Sequence, residues 1–172
     1  MAPLAGMMHQ LGHHVEGVDS QLYPPMSTLL EELRIPVRLG FDPSRMPVDI
    51  DRVIIGNAVP RHNPEVAAVL ARRIPHLSQA EAVAHYVLAS GLESLVVAGT
   101  HGKTTTSAML AWILEQTGAD PSYLVGGLPR WNSRGFRLGG EGHALAELRD
   151  GGEVAGLHRE VEDQDVAEEE LG

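Results

Sequence analysis

Apolar and polar positions alternate between helical and strand-like periods along the first 140 residues. Ala2 to Leu11 carries apolar residues at helical spacing and stops at Gly12, and Val15 to Val18 is a short apolar run followed at once by Asp19. Ser27 to Leu33 predicts a short helix with Ser27 as its N-cap, and Arg52 to Ile55 predicts a buried strand entering the turn at Gly56-Asn57. Asn63 places a capping side chain before Pro64 at a first helical position, so a helix is expected through Arg72. Ser78 and Glu81 have the spacing of a capping box ahead of AVAHYVLA, a helix that Gly91 ends. Leu95 to Ala98 reads as the next strand, and TTTSAMLAWILEQT after Lys103 as a helix closed by Gly118. Strands alternating with helices predict an α/β fold. A Rossmann-like, doubly wound parallel sheet is expected over residues 1–91 and the start of a second α/β unit over 92–140, with ligands at the carboxyl ends of strands.

Composition narrows this picture. At 172 residues and 43% hydrophobic content, the chain has room for one or two small domains, and disorder throughout is excluded. The absence of cysteine rules out disulfides and thiolate metal sites. No run of about 18 apolar residues exists to make a membrane a partner. MAPLAGMMHQLGHH lacks a basic leader and a cleavage site, so the cytoplasm is the expected location. The net charge of −10 is uneven. Residues 1–140 hold 12 acids against 11 Lys and Arg, whereas residues 141–172 hold 11 acids against 2 Arg, or −1 and −9. A block such as EDQDVAEEELG repels itself and buries little, so 141–172 is expected to be an acidic, loosely ordered or disordered tail. With no basic stripe to neutralise phosphates, nucleic acid is not an expected partner. Nothing in the sequence sets the oligomeric state.

The stretch GTHGKTTT, residues 99–106, carries the candidate chemistry. The usual phosphate-loop formula, G-x-x-x-x-G-K-S/T, would need glycine where the chain has Val97. The context nevertheless fits, because an apolar strand leads into a glycine turn that opens a helix. Gly99 and Gly102 let backbone N–H groups approach an anion, with Thr100 and His101 between them. Lys103 can reach the β- and γ-phosphates of a bound nucleotide, Thr104 can ligate Mg²⁺, and Thr105 lies in the same first turn. A surface turn with an incidental lysine is the plain alternative. His9 and His13 stand at i, i+4 without an acidic third ligand and read as helix-end histidines. Trp112 reads as core, Pro24-Pro25 as a rigid extended corner.

VAGTHGKTTTSAML resembles the ATP loop of the Mur ligases, whose shorter G-T-x-G-K-T-S/T form accommodates Val97. GHHVEGVDSQLYPPMSTLLEEL and VIIGNAVPRHNPEVAAVL resemble the amino-terminal domain of one branch of that family, the murein peptide ligases of cell-wall recycling. That branch joins UDP-N-acetylmuramate to the tripeptide L-alanyl-γ-D-glutamyl-meso-diaminopimelate. The segment DSQLYPPMS points to it rather than to the UDP-N-acetylmuramate–L-alanine ligases. The resemblance implies an ATP-dependent amide ligase that uses Mg²⁺ and two small-molecule substrates, UDP-N-acetylmuramate and the murein tripeptide. Lys103 and Thr104 would hold ATP and metal. Asp19 and the turn Gly56-Asn57-Ala58, at strand ends, would contact the UDP sugar, although Asp19 reads equally well as a turn-capping acid.

The departures from the family pattern also carry expectations. Members place a strand and a glycine loop, G-x-x-G-x-x-M, ahead of the helix that here begins at Met1. They continue past the region of residue 140 through an acidic strand that completes the Mg²⁺ site, then a peptide-binding domain. On that basis the chain as written is expected not to ligate. Two other readings stay open. One is a different phosphate-loop enzyme such as a small kinase, against which YPPMST and GNAVPRHNPEV stand. The other is a non-catalytic remnant that binds nucleotide or sugar.

Overall fold

The computed structural model describes residues 1–88, 93–140 and 142–147. In chain order its elements are α1 (Ala2–Gln10), β1 (Gly17–Asp19), α2 (Met26–Glu32), β2 (Val37–Leu39), β3 (Val53–Ile55), α3 (Pro64–Ala71), β4 (His76–Ser78), α4 (Gln79–Val83), β5 (Glu93–Val97), α5 (Lys103–Gln116), β6 (Ser122–Leu124), β7 (Phe136–Arg137) and β8 (His143–Glu147). The expected α/β character with parallel sheets holds. β1 and β2 pair in parallel across α2, and β3 and β4 pair in parallel across α3. A third sheet runs β5-β8-β6-β7, with β7 alone antiparallel.

Local capping chemistry sets several boundaries where the sequence places them. The Asn63 side-chain oxygen accepts from the Glu65 and Val66 amides at 2.9 and 3.3 Å, and Pro64 follows it without an amide to satisfy. At α4 the Ser78 hydroxyl accepts from the Glu81 amide at 3.2 Å while the Glu81 carboxylate accepts from the Ser78 amide at 2.6 Å, a complete capping box. Hydrogen bonding from the Ser78 amide first, and from the Ser78 side chain second, holds the Glu81 carboxyl below its ordinary pKa.

Elsewhere the expectations need correction. α2 begins at Met26, and Ser27 is not its cap, because the Ser27 amide already donates to the Tyr23 carbonyl inside the first turn. Pro25 takes the cap position with helical angles (φ −85°, ψ −7°), so Pro24-Pro25 turns the chain instead of extending it. α4 is short and continues as a π-helical turn over Ala84–Leu88, and its expected stop at Gly91 lies outside the described residues. The largest correction concerns the acidic tail. His143–Glu147, inside that segment, is a strand that pairs with β5 on one side and β6 on the other. Its inner residues Ala144, Leu145 and Ala146 are buried, because a parallel strand covered on both faces needs an apolar run regardless of the charge that follows it. The remainder of that segment, 148–172, lies outside the described residues.

The third sheet is buried on two sides. Tyr123, Val125 and Leu145 face Ala111 of α5. Leu124, Phe136, Ala144 and Ala146 point the other way, into a larger cluster with Leu4, Met7 and Met8 of α1 and Leu29 and Leu30 of α2. Alternation along each strand sends successive side chains to opposite faces, so one strand serves both clusters. Gly6 lets α1 come close. A Cβ there would stand 2.5 Å from the Phe136 ring. No helix among the described residues is long and apolar enough to cross a membrane.

Candidate functional site

β5 ends at Val97, and residues 98–102 turn the chain into α5. Two glycines make that turn. Gly99 has φ +151° and Gly102 has φ +76°, angles that side-chain-bearing residues rarely adopt. Gly102 is the N-cap of α5 and offers no side chain to its first turn, so the amide donors and the positive end of a 14-residue helix are presented by backbone alone. Lys103 is the first helical residue, and its ammonium folds back over the turn to donate to the Gly99 carbonyl at 2.5 Å. Nδ1 of His101 lies 3.2 Å from the Thr100 hydroxyl. Thr104 and Thr105 are exposed on the first turn. The residues expected to bind nucleotide, Gly99 through Thr105, are thus contiguous and brought together by the chain itself.

A second wall stands beside that turn. The loop from β6 to β7 approaches so closely that a Cβ on Gly127 would lie 3.1 Å from the Thr104 methyl. Between α5 and this loop runs an open groove of about 470 Å³ whose lining includes Thr104, Thr105, Met109, Trp112, Arg130 and Trp131. Trp112 is 47% exposed, not the core residue that its size predicts, because the helical phase that buries Ser107 and Ala111 turns the next position outward. Trp131 is 37% exposed.

The loop that carries Trp131 is braced from behind. The Val125 amide donates to the Gly135 carbonyl at 2.9 Å, and Gly135 (φ +67°) has no room for a Cβ against the Gly127 carbonyl. The Asn132 amide group donates to the Tyr123 hydroxyl, which itself donates to Glu115 at 3.3 Å. Arg137 joins Glu115, at 3.3 Å, to Asp120. The Tyr123 and Trp131 rings pack at a centroid distance of 5.6 Å. Burial pushes the Tyr123 phenol up to about 12, the Asn132 hydrogen bond opposing and the Glu115 carboxylate adding to that shift. VGGLPRWN is too short and irregular to carry a periodic signal that would announce this loop.

The sugar-site candidates occupy carboxyl ends of strands in the other two sheets. Asp19 closes β1, and its carboxylate accepts from the Ser20 and Gln21 amides at 2.7 and 3.4 Å, forming the turn that follows. Gly56 follows β3, and the Val59 amide donates to its carbonyl at 2.9 Å, which leaves Asn57 and Ala58 exposed at the tip of the turn. These residues and the glycine loop therefore share the carboxyl-end position expected of ligand contacts, on three different sheets. β8 ends at Glu147, in register with Val97, the last residue of the strand that feeds the loop.

The two parallel strand–helix–strand units ahead of the glycine turn lie within residues 1–90, the stretch matched by the Mur ligase family model, described as the catalytic domain of that family. The chain belongs to the Mur ligase family. Members of the family are ligases. The UDP-N-acetylmuramate–L-alanyl-γ-D-glutamyl-meso-2,6-diaminoheptandioate ligase of Escherichia coli is 50% identical over 129 residues, which is 75% of this chain and 28% of that Mur ligase. The crystal structure of the UDP-N-acetylmuramate:L-alanyl-γ-D-glutamyl-meso-diaminopimelate ligase from Neisseria meningitides superposes with a TM-score of 0.77 at 37% identity, covering 85% of this chain and 48% of that one. The UDP-N-acetylmuramate–alanine ligase of Thermotoga maritima superposes with a TM-score of 0.75 at 26% identity, over 85% of this chain and 34% of that one. The present Mur ligase chain thus spans less than a third of the length of its curated E. coli relative.

Proposed function

We propose that this chain supplies the phosphate-binding turn and part of the UDP-sugar site of an ATP-dependent amide ligase that joins UDP-N-acetylmuramate to L-alanyl-γ-D-glutamyl-meso-diaminopimelate. The observation that carries the reading is Lys103, placed at the first position of a helix whose N-cap is the left-handed Gly102, with its ammonium on the Gly99 carbonyl. The backbone of Gly99 through Gly102 cradles the phosphates, with Thr100, His101 and Thr105 around them. Lys103 swings from the Gly99 carbonyl to the β- and γ-phosphates. Thr104 would hold Mg²⁺, which when bound would offset charge on the transferring phosphoryl group. The lactoyl carboxylate of UDP-N-acetylmuramate attacks the γ-phosphorus of ATP, releasing ADP and forming an acyl phosphate. The peptide amine then displaces inorganic phosphate and loses a proton as the amide forms. Asp19 and the Gly56-Asn57-Ala58 turn contact the UDP sugar. Such substrates place the reaction in the cytoplasm.

Lys103→Ala tests the turn directly. A charge-assisted phosphate contact contributes about 1.5–3 kcal/mol, so ATP affinity measured by calorimetry falls roughly ten- to a hundredfold or more. Undiminished affinity defeats the assignment. A second reading, the L-alanine ligase, is favoured by the likeness to the Thermotoga enzyme. Phosphate release with ATP and UDP-N-acetylmuramate, measured with the tripeptide and with L-alanine in the protein that carries this chain, separates the two.

A further inference from the structure

We propose that the groove between α5 and the β6–β7 loop is a platform for the sugar ring of the acceptor, with Trp112 and Trp131 as its ring-binding faces and Arg130 as its anion partner. This rests on the reading above and names the residues that would hold the hexosamine. Three observations carry it. First, two tryptophans in a chain with only two are both left 37–47% exposed, and both line one groove of about 470 Å³. Half-exposed indoles gathered in a concavity mark a ligand site more than a solvated surface. Second, Trp131 is held in place. The Tyr123 ring packs against it, and Tyr123, Asn132, Glu115 and Arg137 hydrogen-bond behind it, which is the supporting shell a preformed site needs. Third, the groove shares Thr104 and Thr105 with the first turn of α5.

That shared wall selects the ligand. A carboxylate attacking a phosphoryl group held at the glycine turn must lie against the same turn. The ring that bears it through a short ether link then falls within the groove. A pyranose presents an apolar C–H face suited to indole, and the guanidinium of Arg130 complements its acidic substituent. A nucleobase would satisfy the indoles equally well, and the test separates the two.

Because both tryptophans line the groove, intrinsic fluorescence of the full chain reads its occupancy without a label. UDP-N-acetylmuramate and free N-acetylmuramate, titrated to millimolar concentration, are expected to shift or quench the emission, whereas UDP and adenosine alone are not. Trp131→Ala weakens the N-acetylmuramate response, read from the remaining Trp112, by roughly tenfold, and Trp131→Phe restores most of it. Circular dichroism checks that each variant is folded. Lys103→Ala loses ATP binding yet keeps the response to the sugar, so failure of the phosphate assignment and failure of the sugar platform are told apart. An equal response to UDP or adenosine makes the groove a base site and overturns the proposal. Emission unchanged by N-acetylmuramate overturns it too, whatever the glycine turn binds.

Discussion

Tyr123 shows how a single buried group couples stability to pH. Its phenol ionises at about 12 in the folded chain against an ordinary value of 10.0, because burial disfavours the anion. The folded state holds this proton more tightly than the unfolded state. The associated stability is present below pH 10 and lost as pH rises toward 12, by up to about 2–3 kcal/mol. Denaturant midpoints measured from pH 9 to 12 should show that loss in the parent chain, and Tyr123→Phe should flatten it. Glu65 makes a second case. Its nearly buried carboxylate accepts from Arg38 and from the Asp42 amide, both at 3.0 Å. Arg38→Ala strands that carboxylate, and chemical denaturation should register a loss of about 2–3 kcal/mol. At this scale the sequence was informative where chemistry is local. Asn63 and Ser78 accept from amides, and Lys103 donates to a carbonyl, within a few residues of themselves, so spacing alone located them. Trp112 was misplaced because size says nothing about helical phase.

Among the elements, α1 packs against β7 through a glycine and an aromatic ring. Gly6→Ala adds a Cβ that would stand 2.5 Å from Phe136. Such overpacking costs about 1–3 kcal/mol, more than the helix propensity gained, and thermal unfolding should show the midpoint fall. This contact joins residues 130 positions apart, which no periodicity within α1 can announce. Strands of three residues such as Val37–Leu39 and His76–Ser78 were invisible for a related reason, since two alternations make no pattern. β8 was hidden differently. Averaging charge over residues 141–172 buried a short apolar strand, HALAE, under the acids that follow it.

For the molecule as a whole, β8 decides whether the third sheet exists. Ending the chain at Gly142 would remove the strand between β5 and β6 together with Ala144, Leu145 and Ala146 of the core. Loss of a buried leucine alone costs about 2–5 kcal/mol. Cooperative thermal unfolding of the glycine-turn unit, followed by tyrosine and tryptophan signals, is expected to disappear in that truncation. An unchanged transition would show the sheet to be dispensable. The same strand order has a bearing on biosynthesis. β5 is finished at Val97 but its partner spans His143–Glu147, so a ribosome must add 50 residues before Glu147 can meet Val97. Through that interval a hydrophobic strand waits with both edges bare, and pairing across so long a separation is slow as well. The interval in which β5 is exposed to misassociation therefore cannot be shorter than the time needed to translate those 50 residues.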